Sequence, residues 1–223
     1  MHDFSEKRPL KIKRIKEFLR GFNGNNILDV GCGFSPISIE VIEGNIIGLD
    51  ILPDRLKIAR ELGLNVVLSD LNDGIPFKDE MFDLIIATGY IPCLIYDTDY
   101  LLDELWRVLK PSGTMVIDVY NICSLNNRIR TLLGMLPFGV EYAKESLDGK
   151  ERIGFIRAFN KDIFIALLKK HRFVIEDIRT NVIRIPKIVR IPWKYRYFVS
   201  LGEDIIVKCC KDQFFKLIRK EEV

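Results

Sequence analysis

The chain has 223 residues, 48% hydrophobic and 29% charged, which is enough apolar surface for a full core and excludes a disordered polypeptide. The formal charge is +3, and the five cysteines (Cys32, Cys93, Cys123, Cys209, Cys210) include no C-x-x-C pair and are joined only by His2 and His171. Zinc spacing and a disulfide framework are therefore excluded, and reduced, cytoplasmic thiols are expected. The first 20 residues are basic rather than apolar, unlike a signal peptide, and the longest apolar run, 84–96, is too short to span a bilayer.

A basic amphipathic helix is predicted over 8–21, with Ile12, Ile15, Phe18 and Leu19 facing inward. The run from Ile27 to Pro36 follows: an apolar strand, Asp29, then Gly31-Cys32-Gly33, then a Ser-Pro pair suited to open a helix near Ser35. Glycine permits a sharp turn and close backbone approach to a ligand, and a helix start would aim free N–H groups at it. A second strand, 45–50, ends in Asp50, about 20 residues after Asp29 and placed to hydrogen-bond a ribose. This is a nucleoside-binding half-fold. A dinucleotide fingerprint would need a third glycine where Pro36 stands, which argues against NAD and FAD. Asp29 would repel a pyrophosphate and suits a cationic group.

Asp54 reads as a helix start. A third strand over 66–71 contains Asp70, a fourth covers 81–87, and a helix over 101–109 leads to a fifth strand, 114–119. The alternation predicts a parallel sheet with crossover helices. After it come a substrate-side excursion (121–158) with a helix at 125–133, a helix over 161–170, a strand over 173–179, a second excursion (180–202) and a closing antiparallel strand from Asp204 to Cys209. One domain is expected over 1–223.

The acid-x-Gly-x-Gly turn, Asp50, Asp70, the Ile75-Pro76-Phe77…Phe82-Asp83 pair and the Leu101-to-Gly113 segment, taken in that order, resemble the class I S-adenosylmethionine-dependent methyltransferases. The resemblance covers roughly 25–120. It implies a Rossmann-like, doubly wound seven-stranded α/β sheet, mostly parallel with an antiparallel last strand and helices on both faces. It implies S-adenosylmethionine as donor and S-adenosylhomocysteine as product; no metal is expected, because the chain's Cys and His offer no ligand spacing. The donor site it implies comprises Asp29, Gly31, Cys32, Gly33, Asp50, Ile51, Asp70, Leu71, Ala87 and Thr88. Phe77, Phe82 and Trp106 are expected to be core. A softer resemblance, in "VYN…SLNNRIRTLLG" and Phe155-Ile156-Arg157-Ala158-Phe159, is to methyltransferases of surface-glycan clusters. Phe155 stands where those carry a histidine, and Pro92-Cys93 where they show Glu-His, so candidate bases or metal ligands are missing.

Methyl transfer from a sulfonium is an in-line displacement with an activated donor, and orientation alone supplies roughly 7–11 kcal/mol. For a hydroxyl acceptor a base helps by about a hundred- to ten-thousand-fold. Asp118 and Tyr120 are the catalytic candidates, with Glu141 and His171 behind them; His171 fits better as the basic end of a helix. Tyr90 is expected to line the donor methyl group and Arg157 to clamp an acidic group of the acceptor. A basic run (Arg179, Arg184, Lys187, Arg190, Lys194, Arg196) has no acid between Ile178 and Gly202. It suggests a solvated face, an anionic substrate or a membrane-surface contact through 179–198; Pro186 and Pro192 prevent one continuous amphipathic helix, and nucleic acid ranks last. The expected activity is methylation of a small or carrier-linked polar acceptor at oxygen. The alternatives are a lipid or quinone precursor at the membrane surface and a non-catalytic S-adenosylmethionine-binding scaffold.

Overall fold

The computed structural model describes residues 7–95, 97–138, 157–185, 189–191 and 196–212. Helix α1 (Lys7–Phe18) precedes strand β1 (Asn26–Val30), α2 (Ser38–Val41), β2 (Asn45–Asp50), α3 (Pro53–Glu61) and β3 (Asn65–Leu68). Next come β4 (Phe82–Ala87), α4 (Ile91–Leu94), α5 (Thr98–Val108), β5 (Leu109–Tyr120), α6 (Leu125–Leu132), α7 (Lys161–Lys170) and β6 (Phe173–Arg179). A hairpin of β7 (Ile183–Ile185) and β8 (Val189–Ile191), a 3-10 turn (Arg196–Leu201) and β9 (Asp204–Lys211) complete the order.

The main sheet has seven strands in the order β3-β2-β1-β4-β5-β9-β6. Pairings from β3 through β5 are parallel, while β9 lies antiparallel between β5 and β6. Strand order reverses between β1 and β4, so their carboxyl ends open the crevice in which such sheets bind ligands.

Period-two alternation divides the core. Leu28, Val30, Ile85, Ala87, Met115, Ile117 and Val119 pack to one face with Leu101, Leu102 and Leu105 of α5 and with Phe164 and Leu168 of α7. Ile27, Leu84, Ile86, Val116 and Ile206 pack to the other, under Ile15, Phe18 and Leu19 at α1. The inward face expected of the first helix is thus found, although Ile12 is only partly buried and the helix stops at Phe18.

Helices α5 and α7, which cover the first of these faces, carry side-chain caps. Asp97 accepts from Tyr100 N at 2.9 Å to open α5, and Asn160 accepts from Ile163 N at 2.9 Å to open α7. Asp83 accepts from Asn25 N and Asn26 N and pairs with Lys110 at 2.7 Å, tying together the starts of three neighbouring strands. Glu104 accepts from Ile75 N, while Arg107 donates to the carbonyls of Ile75 and Phe77. The loop before β4 is therefore held by α5. Phe82 is fully buried, as expected of a core residue. Phe77 packs edge-on against it at 5.1 Å, and Phe77 and Trp106 are half-buried against the core, with the cations of Arg172 and Lys211 over the Trp106 ring.

Three expectations about elements are corrected. The helix anticipated near Ser35 begins at Ser38, where Asp29 accepts from both the N–H and the hydroxyl, and it lasts four residues before Ile42 turns extended. The third strand ends at Leu68, and Asp70 lies in the turn beyond it, accepting from Asn72 N and Nδ2 at 2.8 Å each. The fifth strand begins at Leu109 rather than 114. Leu109 already pairs with Phe82, and a bulge in the register absorbs the Lys-Pro-Ser-Gly stretch.

Candidate active site

The β1 turn is built around two carboxylates. Asp29 is buried, and one of its oxygens accepts from Ser38 N at 3.2 Å and Ser38 Oγ at 2.5 Å. Burial raises its pKa to about 6, against the lowering effect of those two bonds. Asp50 at the end of β2 reaches across the crevice: Oδ2 accepts from Gly33 N at 3.0 Å and Oδ1 from Leu52 N at 2.9 Å. A carboxylate has about four acceptor positions, so two remain for a ligand.

Gly31 and Gly33 both have positive φ, 68° and 63°. A Cβ on Gly31 would lie 2.3 Å from Ile91 Cδ1, whereas one on Gly33 would meet nothing nearer than Gly31 O at 3.9 Å. The open space over the turn is therefore above Gly33. Cys32 is buried beside β2, and burial raises its thiol pKa to about 12, so it is a packing residue in its neutral form. Exposed Phe34, Ile51 and Leu68 flank these acids and give the crevice apolar walls. Leu71 is buried, and Asp70 is partly buried next to it. These features suit a nucleoside: apolar surfaces for a base, two acids, and a backbone bare of side chains.

At the end of β4, Ala87 and Thr88 are buried, and Gly89 and Tyr90 turn sharply. Tyr90 has φ 66°, ψ 29°, a left-handed conformation that costs a non-glycine residue about 1–2 kcal/mol. Asp118 holds it there, Oδ1 accepting from Gly89 N at 3.0 Å and Tyr90 N at 2.9 Å. The Tyr90 hydroxyl bonds Asp204 Oδ1 at 2.6 Å, and its ring packs edge-on against Tyr120 at 5.9 Å. Lys11 of α1 completes the cluster, with Nζ 2.5 Å from Asp118 Oδ2, 3.5 Å from Asp204 Oδ2 and 4.5 Å from the Tyr90 ring centre. Burial works against its charge, but the two aspartates outweigh burial and raise its pKa; burial likewise raises Asp118 despite Lys11. Burial, then Asp204 and Asp118, lift the Tyr90 phenol well above the ordinary tyrosine range, and burial places Tyr120 at about 12. Both phenols are neutral donors. A second layer joins Lys7 and Arg184 to Glu203, Asn181 to Asp204, and Asn127 to the Tyr120 hydroxyl.

Both catalytic candidates thus stand at the carboxyl end of β5, with the oxygens of Asp118 engaged by the Tyr90 turn and Lys11. Arg157 bonds Cys93 O through its backbone N at 3.2 Å, which brings that segment against α4. Glu141 lies outside the described residues. His171 joins α7 to α5, its Nδ1 2.9 Å from Asp103 and its Nε2 2.8 Å from Asp99, and is not brought to the β5 end. Among the described residues, no group of three or more His, Cys, Asp or Glu is placed to hold a metal ion.

Sequence reasoning missed Lys11 and Asp204 as site residues. Register explains Asp204: β9 runs antiparallel, so its first residue pairs with Tyr120, the last of β5. An acid opening an antiparallel closing strand was the available signal. For Lys11 the signal was spacing, since Lys7, Lys11 and Arg14 share one helical face and all three are buried.

A family profile described as "Methyltransferase domain" matches residues 22–152. The chain belongs to the S-adenosylmethionine-dependent methyltransferases. It is 31% identical over 129 residues to the demethylmenaquinone methyltransferase of Listeria monocytogenes, and 29% identical over 128 residues to the mouse protein "Probable tRNA methyltransferase 9B". Those alignments cover 52% and 56% of this chain; the chain spans 50% of the bacterial enzyme and 28% of the mouse protein. Among solved structures, an S-adenosylmethionine-dependent methyltransferase of Thermotoga maritima superposes with a TM-score of 0.62 at 19% identity, over 92% of this chain and 91% of that one. One from Clostridium acetobutylicum superposes with a TM-score of 0.61 at 17% identity, over 94% and 93%. These two likenesses show a shared fold. The methyltransferase retains the seven-stranded arrangement of the family, and no helix among its described residues is long and apolar enough to cross a membrane.

Proposed function

We propose that this methyltransferase binds S-adenosylmethionine over the β1 turn and methylates a small or carrier-linked polar acceptor at oxygen. The reading rests on one observation: Asp50 faces Gly33 across an open backbone crevice, with Asp29 beneath the same turn. Asp50 would accept from the ribose hydroxyls, Asp29 would supply negative charge near the donor's ammonium, and Asp70 with Leu71, Ile51, Ala87 and Thr88 would frame the nucleoside base. When bound, the donor supplies a methyl group on a sulfonium.

The acceptor end is read from the polar cluster around Tyr90. Neutral Tyr120 would orient an acceptor hydroxyl by donating to it, while the Tyr90 oxygen would accept from that hydroxyl, taking its proton as its own passes to the buried Asp204 carboxylate. Asp118 acts here as a positioning residue, fixing the backbone that carries Tyr90. Arg157 would pair with an acidic group on the acceptor. Calorimetric titration with S-adenosylmethionine, S-adenosylhomocysteine and NAD tests the donor assignment: micromolar binding of the two sulfur nucleosides and none of NAD is expected. Binding of NAD, or of none of the three, would defeat it.

A further inference from the structure

Two acid-free stretches lie far apart in the chain and are packed together in the fold. No Asp or Glu occurs between Asp118 and Glu141, nor between Asp177 and Glu203. Asn121 Nδ2 donates to the carbonyls of Ser200 and Gly202 at 3.0 and 2.8 Å, and Arg128 donates to Ser200 O at 3.3 Å. Helix α6 therefore stands beside the 3-10 turn that precedes β9.

At the end of α6 the chain forms an apolar knuckle. Leu132 is 85% exposed, Leu133 65%, Leu136 60% and Met135 41%, four large aliphatic side chains within five residues. This exposure is built into the turn. Gly134 takes φ 72°, Met135 N bonds Arg130 O at 2.9 Å, and Arg130 Nε donates to Leu136 O at 2.8 Å while its guanidinium stacks on Phe138 at 3.8 Å. Asn127 Oδ1 accepts from Phe138 N at 2.9 Å and closes the far side. Polar groups spend their bonds holding the backbone, and the leucines are left pointing outward.

We propose that this knuckle inserts into the surface of an anionic phospholipid membrane. Clustered aliphatic side chains on a pinned turn match the hydrocarbon boundary, and helix α6, which carries no acid, brings positive charge beside them. Arg128 is exposed on α6, and Arg130 lies against the turn itself, bonded to Leu136 O. Each basic group near an anionic leaflet adds attraction that fades within a Debye length. RNA would be met by stacking aromatics rather than by a leucine tip. The knuckle follows the carboxyl end of β5, so docking there would turn the acceptor end of the crevice toward the membrane. The inference stands apart from the methyl-transfer reading, because vesicle binding needs no donor.

Co-sedimentation with vesicles of phosphatidylcholine and phosphatidylglycerol in equal parts tests it. The wild-type chain should pellet with them, pellet less with phosphatidylcholine alone, and be released by salt. Leu132→Ser combined with Leu136→Ser should weaken binding by at least about tenfold while leaving the melting temperature and donor affinity in place. Absence of binding to anionic vesicles overturns the proposal, as does equal binding by the serine variant. A change in sedimentation coefficient on leucine replacement would make the face a contact between copies of this chain. Binding of an RNA oligonucleotide that the serine substitutions abolish would assign it to nucleic acid. Either result overturns the lipid assignment.

Discussion

Lys11 Nζ lies 2.5 Å from Asp118 Oδ2, and both side chains are buried. This pair joins the N-terminal helix to the carboxyl end of β5, and through Asp118 it reaches the backbone of Tyr90. A segment outside the parallel sheet thereby sets the geometry of the Tyr90 turn.

Removing one member of a buried ion pair strands the other, at a cost of about 3–5 kcal/mol. Lys11→Met should destabilise the fold by that order, because Asp118 and Asp204 then face each other without a cation. Lys11→Met with Asp118→Asn should recover part of the loss. Urea unfolding of the two single variants and the double variant measures the coupling; strict additivity would mean that the contact contributes nothing.

Asp29 gives a pH signature. Its folded pKa, about 6, lies above the ordinary 3.8, so the folded state holds the proton more tightly than the unfolded chain. The stabilisation is fully present below 3.8, is lost as pH rises through about 6, and is flat above. Two units at about 1.4 kcal/mol each make the loss about 3 kcal/mol. Asp29→Asn still accepts from Ser38 and lacks the ionisation, so its stability should fall less over that interval. Denaturant midpoints taken at half-unit steps would show it; parallel curves for both proteins would contradict the assignment.

Much of this site was legible because strands place acids at their carboxyl ends by simple spacing. Asp29 and Asp50 follow from two apolar runs and a glycine turn, and β9 was anticipated in sense and in its starting residue. Long-range pairing was not legible. Nothing local to Lys11 announces Asp118, 107 positions away; its spacing with Lys7 and Arg14 marks a shared helical face but not the partner. The start of α2 was also hidden, because Asp29 accepts from the N–H and hydroxyl of Ser38, a contact that spacing alone does not announce. The basic run over 179–198 is only partly within the described residues; its Arg184 turns inward to Glu203 rather than outward.

The donor crevice is probed most sharply at Gly33. Gly31→Val should abolish donor binding, but its Cβ also meets Ile91, so that loss mixes folding with binding. Gly33→Ala has room, and its positive φ costs about 1–2 kcal/mol. The alanine variant should stay folded at 25 °C and lose donor affinity, with Asp50→Ala losing more, about 1.5–3 kcal/mol for each charge-assisted bond removed. Calorimetry on both decides; unchanged affinity in Gly33→Ala would remove the space above Gly33 from the donor site.

Tyr90→Phe separates turnover from donor binding. The substitution keeps the ring against Tyr120 and the backbone N–H on Asp118, and it removes only the hydroxyl that meets Asp204. A buried carboxylate that loses a donor costs about 1–3 kcal/mol, here shared with Asn181 and Lys11, which still face Asp204. Stability should therefore fall modestly, while methyl transfer to an acceptor hydroxyl falls by about a hundredfold or more as the proton route is lost. The rate deficit should narrow as pH rises, because an acceptor already deprotonated needs no route. Single-turnover rates across pH on saturating donor give the comparison. A pH-independent deficit would assign Tyr90 to orienting the acceptor alone, and an equal loss in donor affinity would move it from the acceptor end to the donor pocket.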